Sequence, residues 1–156
     1  MRNSMKKLIV ALATAITLAS LVLPDQGAAQ VLPPAKRARR IRIVKAPEIK
    51  LAVSHLTIIR WTTNNPGGSD VHYGIVHYGT DPEKLTRTAR NPIRLNQGHP
   101  TTTYRVRLDN LEPRTTYYYR VDSEESGGRS DRVKSPIRKF TTAAPGERIS
   151  ADPRSG

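Results

Sequence analysis

Four histidines, His55, His72, His77 and His99, are the side chains best suited to metal or acid–base chemistry in a chain that has no cysteine. A metal needs ligands that converge on one point, usually with a carboxylate or thiolate among them. His72 and His77 stand five apart on an expected strand, and His99 sits beside Pro100 in an expected loop, so strand-surface and loop histidines are the expectation. Ser69, Asp70 and His72 supply the residue types of a hydrolytic triad, but a triad is defined by geometry around an activated nucleophile. Gly67-Gly68-Ser69-Asp70 lacks the spacing of a nucleophile elbow and reads as a glycine-rich hairpin loop. Asp122, Glu124, Glu125 and Asp131 surround Gly127-Gly128 without the ligand alternation of a calcium loop, so a solvated loop is expected. In Arg129-Ser130-Asp131 a serine stands where an Arg-Gly-Asp motif needs its permissive glycine. The reading is of a non-enzyme: no catalytic residue, no metal site and no cofactor.

Charge is the more informative chemistry. The 156 residues carry 26 Lys plus Arg against 13 Asp plus Glu, a net charge of +13. Lys36, Arg37, Arg39, Arg40, Arg42 and Lys45 put six cations within ten residues and no acid among them. Such a block repels itself, extends, and attracts anionic surfaces or polymers. Arg105 and Arg107 alternate with Tyr104, Val106 and Leu108, and therefore point outward. Arg60, next to an inward Trp61, also faces out, and these nine cations form the candidate polyanion-binding set. Tyr118 and Arg120 make a candidate interaction face of their own.

The elements that must position these groups begin after a leader. Arg2, Lys6 and Lys7 precede an uncharged, largely apolar run from Leu8 to Leu23; Pro24 breaks it, and Gly27-Ala28-Ala29 supplies small residues before Gln30. This is the pattern of a cleaved secretory signal peptide over residues 1–29. Its removal takes three basic side chains and one acid and leaves +11. The expected address is secreted or periplasmic, with no transmembrane anchor after cleavage and no specific nucleic-acid role. The lack of cysteine excludes a disulfide framework, a thiolate metal site and a lipid-anchored cysteine.

Residues 30–40, with Pro33-Pro34 and the first basic residues, read as a basic extended arm, and residues 143–156 as a flexible tail. Between them, residues 41–142 alternate on a period of two. Strands are expected at Ile41–Val44, Ile49–Val53, Leu56–Thr63, Val71–Tyr78, Thr102–Leu108, Thr115–Val121 and Val133–Thr142, separated by Asn, Pro and Gly clusters. Val71-His72-Tyr73-Gly74 recurs as Val76-His77-Tyr78-Gly79; an odd offset sends the two copies to opposite faces unless a bulge at Gly74 intervenes.

Leu111-Glu112-Pro113-Arg114-Thr115-Thr116-Tyr117-Tyr118-Tyr119-Arg120-Val121 resembles the tyrosine corner of fibronectin type III domains. The resemblance implies an all-β, seven-stranded immunoglobulin-like sandwich. In it Pro113 holds the turn, the Tyr117 hydroxyl bonds backbone, Tyr119 and Val121 face the core, and Trp61 and Leu111 are buried with them. It also brings Arg60, Arg105 and Arg107 onto one sheet face. Val76-x-Tyr78-Gly79-Thr80-Asp81-Pro82-x-x-Leu85, with the closing Phe140-Thr141-Thr142, is similar to the N-terminal fibronectin-like domain of purple acid phosphatases. That family's catalysis belongs to a separate metallophosphoesterase domain built on Gly-Asp and Gly-Asn-His motifs, and this chain has no Gly-Asp and no Asn-His pair. The expectation is an exported interaction module that binds a protein or glycan in the envelope or outside the cell. The alternatives are a tether to an anionic polymer through the arm, or an accessory domain associated with a metallophosphatase.

Overall fold

The structure, a computed structural model of the chain, describes residues 36–150. The expected signal peptide, the first residues of the arm and the end of the tail (151–156) lie outside the described residues. Eight strands follow one another: β1 (Ile43–Val53), β2 (Thr57–Asn64), β3 (Val71–Gly79), β4 (Arg87–Arg94), β5 (Thr101–Leu108), β6 (Thr116–Glu125), β7 (Arg138–Thr141) and β8 (Arg148–Ser150). They form two antiparallel sheets, ordered β5-β2-β1-β8 and β4-β3-β6-β7.

The alternation of β5 is the local reason for its shape: Thr102, Tyr104, Val106 and Leu108 are buried, and the residues between them are exposed or half-buried. Trp61 of β2 lies directly opposite Tyr104, and the two rings stack with centroids 5.2 Å apart. Gly74 of β3 leaves the room they need, because a Cβ there would come within 2.9 Å of the Trp61 ring. Ile59, Val76, Tyr78, Leu111, Tyr117, Tyr119, Val121 and Phe140 complete the core between the sheets. At the corner before β6 the Glu112 amide donates to the Tyr117 hydroxyl at 3.0 Å, and the Thr142 hydroxyl donates to the Glu112 carbonyl at 2.6 Å. Pro113 stands apart from this group: it is exposed at the turn and belongs to no core.

Four differences from the sequence reading have physical causes. Ile41–Val44 and Ile49–Val53 are not two strands: β1 runs through Ala46-Pro47, with register shifts against β2 that absorb the proline. β4 was not expected, because Arg-Thr-Ala-Arg-Asn-Pro-Ile-Arg has almost no apolar alternation; it is an edge strand, where charge and proline are tolerated. The last long strand shrinks to Arg138–Thr141, since Arg132 is left-handed (φ 56°) and Pro136 has no amide to give a ladder. After it the chain is no loose tail up to residue 150. Ala143 and Ala144 are buried, Pro145-Gly146 turns the backbone, and β8 pairs with Leu51–Val53. The β3 register is unbroken, so there is no bulge at Gly74 and the two His-Tyr copies do face opposite sides.

Candidate anion-binding groove

The basic arm is not free where it is described. Arg37 places Nη1 2.8 Å from Glu125 Oε2 and Nη2 2.9 Å from Asp131 Oδ1, and donates to the Ser130 carbonyl. The Ala38 amide donates to the Pro66 carbonyl at 2.8 Å, and Asn64 bonds both the Arg40 carbonyl and the Arg42 amide. Gly67 and Gly68 permit this approach. Both have positive φ, and a Cβ would strike the Lys36 carbonyl oxygen at the first and Glu125 Oε1 at the second. Arg37 is therefore a structural cation and leaves the candidate polyanion-binding set: its guanidinium spans two carboxylates held by the fold.

Those carboxylates sit in a buried network that the sequence reading treated as solvated loop. Asp131 Oδ2 accepts from Ser123 Oγ at 2.7 Å and lies 3.2 Å from His72 Nδ1, while His72 Nε2 lies 3.1 Å from the Gly67 carbonyl. His72 is fully buried, not a surface histidine, and both its nitrogens face oxygen atoms. Arg37 bridges Asp131 and Glu125. Burial alone would raise the Asp131 pKa, but the hydrogen bonds from His72 and Ser123 and the charges of His72 and Arg37 outweigh it and hold the carboxyl below its ordinary range. The Ser69 amide does most to lower Glu125, followed by the Ser69 hydroxyl and Arg37. Ser69 Oγ donates to Glu125, and Asp70 accepts from Gln97, so neither reaches His72 as a triad would require. The inward Asp131 carboxylate likewise removes Arg129-Ser130-Asp131 as a presented recognition tripeptide.

The network ties two segments together, and a groove of about 960 Å³ lies between them. Arg39, Arg40 and Arg42 line it from the arm. Arg129, Arg132 and Lys134 line it from the connection between β6 and β7, and Arg138 from the first position of β7. None of these seven is ion-paired among the described residues, and the one acid in the lining, Asp131, is already engaged by His72 and Arg37. Ile41, Ile43, Pro47 and Val133 make apolar parts of the wall. Lys36 and Lys45 are exposed but do not line the groove. The cations from 129 to 138 were missed as binding residues, although four of ten residues there are basic and only one acidic, a signal comparable with that of the arm.

The other candidates lie elsewhere. Arg60 stands opposite Arg105 in the β2–β5 register and Arg107 opposite Ile58, so the three share the outer face of the first sheet. Arg60 is held by Glu48 Oε1 through Nε and Nη2, and Arg107 by Asp109 at 2.7 Å; of the three, only Arg105 has no ion pair among the described residues. Tyr118 and Arg120 are half-buried on the outer face of the second sheet, opposite Gly79 and His77. There burial, and then the Arg120 charge, lowers the His77 pKa.

Two antiparallel sheets closed by a tyrosine corner define a fibronectin type III-like domain. The chain belongs to the family described as Purple acid Phosphatase, N-terminal domain, whose pattern matches residues 49–142. Similar solved structures include the sensor domain of the anti-sigma factor RsgI4 in Pseudobacteroides cellulosolvens, at 14% identity, 69% of this chain, 99% of that one and TM-score 0.42. The chicken CNTN1 FN1-FN3 domains match at 18% identity over 65% of this chain and 32% of theirs, with TM-score 0.43. The fn3 domain of human contactin 1 matches at 19% identity over 83% of this chain and 98% of its own, with TM-score 0.38. No curated protein matches the chain.

Proposed function

We propose that this chain is an exported, non-catalytic interaction module that holds an anionic partner in the groove between its arm and the β6–β7 connection. The observation that carries the reading is that seven cations, none of them ion-paired among the described residues, line one concavity from two segments of chain. Concave, one-signed sites focus the field and raise the local concentration of counter-charged partners. The export signal supports an envelope or extracellular partner. The tether alternative changes form: its cations act from a fixed wall, not from a loose string. Family membership favours one second reading, an accessory domain that works beside a metallophosphatase.

The test is retention of the exported chain on an immobilised sulfated polymer across a salt gradient. Arg39→Ser/Lys134→Ser is expected to elute at clearly lower salt, and Arg105→Ser/Arg107→Ser close to the wild-type position. Equal losses for the two variants would mean that only net charge matters and would sink the groove.

A further inference from the structure

All seven cations of the groove are exposed, and the chain crowds them on both walls. On the arm, Arg39 and Arg40 are adjacent, and the arm is fixed by the Ala38 amide on the Pro66 carbonyl and by Asn64 on the Arg40 carbonyl. On the facing wall the chain bulges. The Asp131 amide donates to the Ser123 carbonyl and the Ser135 amide to the Val121 carbonyl, so four steps of this segment cover two steps of β6. The bulge contains the left-handed Arg132 (φ 56°), whose amide donates to Ser130 Oγ at 3.0 Å. Arg132 and Lys134 stand exposed on it, between the buried Asp131, Val133 and Ser135. None of the described residues lining the groove is aromatic, which leaves no platform for stacking a base or a sugar ring. Its volume of about 960 Å³ falls within the ~300–1,000 Å³ of small-ligand sites.

Resting on the anionic-partner reading above, we infer that the groove takes a compact ligand bearing several closely spaced phosphomonoesters. Crowded cations repel one another, and the acid among them is already engaged by the fold. A phosphomonoester brings nearly two charges and three acceptor oxygens, enough to receive hydrogen bonds from two guanidinium groups at once. A carboxylate or a sulfate ester brings a single charge and leaves such a pair half balanced. Because the arm is already fixed, little ordering of that wall opposes binding.

The experiment titrates the exported chain with inositol hexakisphosphate and with inositol hexakissulfate, the same ring carrying the same number of tetrahedral esters. Near pH ~7.5 the phosphate is expected to bind at least about tenfold more tightly. A phosphomonoester loses its second charge below about pH 6, whereas a sulfate ester does not titrate, so the preference should shrink toward pH ~5. The groove's own acid stays charged over that range, since the Asp131 pKa lies below its ordinary 3.8. Arg39→Ser/Lys134→Ser should weaken phosphate binding about tenfold, and Arg105→Ser/Arg107→Ser far less. Capture of the chain by vesicles carrying a phosphorylated inositol lipid, reversed by the soluble hexakisphosphate, assigns the phosphates to a lipid headgroup; soluble binding without capture assigns them to a free ligand. Equal binding of the two esters, or a preference indifferent to pH, overturns the phosphomonoester and leaves the anionic groove standing. Binding of neither overturns both.

Discussion

The two basic regions of the molecule, the groove and the outer face of the first sheet, contain similar side chains in opposite circumstances. On the sheet face, Arg60 is answered by Glu48 on the neighbouring strand β1 and Arg107 by Asp109 just past the end of β5, both partly exposed. At the groove, two carboxylates are present, yet both are consumed inside the fold by Arg37 and His72. Among the described residues, the cations around them make no ion pair. A sequence count weighs all these arginines alike; the fold separates them by spending acid in one place and withholding it in another.

The largest effect expected from this difference is at Asp131. Its carboxylate is fully buried and serves His72, Ser123 and Arg37 together. Asp131→Asn leaves the Arg37 guanidinium facing a neutral group, and breaking a buried ion pair in this way costs about 3 kcal/mol. Denaturant titration checks the value; a loss under about 1 kcal/mol, the size of a surface pair, would erase the contrast between the regions. The pH dependence follows from the same bonds. The folded pKa values of Asp131 and Glu125 lie below their ordinary 3.8 and 4.5, so their stabilisation is complete above those values and is lost as pH falls through the lowered ones. Acid unfolding of Asp131→Asn should accordingly be flatter below about pH 4 than that of the wild type.

Arg37→Met ranks next. The guanidinium is partly exposed, so the expected cost is about 2 kcal/mol, in the range of hydrogen bonds to charged groups. It carries a second readout, because releasing Arg37 frees the arm that forms one wall. Retention on the sulfated polymer should weaken although the Arg37 guanidinium is itself taken up by Glu125 and Asp131. A stability loss with unchanged affinity would separate the latch from the groove.

How much of this was legible follows from the range of each interaction. The core and its tyrosine corner were readable because alternation is local: Tyr117, Tyr119 and Val121 alternate inward along one strand. The odd offset between His72 and His77 already required them to face opposite sides, so one of them had to be inside; the assignment of both to the surface overlooked that parity. The network was not readable, since Asp131 meets His72 across 59 residues and Arg37 across 94. Pro145-Gly146 looked like the start of a loose end, and nothing local announces that three residues beyond it would pair with Leu51–Val53. β4 was hidden for the converse reason: an edge strand can be polar on both sides and so carries almost no apolar period.

The smallest effect is expected on the sheet face, and it completes the comparison. Arg60 touches Glu48 through two nitrogens, at 2.9 and 2.6 Å, a geometry as good as that of Arg37. The Glu48 pKa is lowered, chiefly by that hydrogen bond. Yet Glu48 is nearly half exposed, and water and salt compete for both partners. Arg60→Met should therefore cost less than about 1 kcal/mol. That cost should fade toward zero near ~1 M salt, where the screening length drops to ~3 Å, while most of the Arg37→Met cost persists. Similar distances would then yield different energies, with burial of the acceptor as the variable. If Arg60→Met were instead as costly as Arg37→Met and as resistant to salt, burial would not be what distinguishes the regions. The unpaired arginines of the groove would then have to be explained by something other than acids held inside the fold.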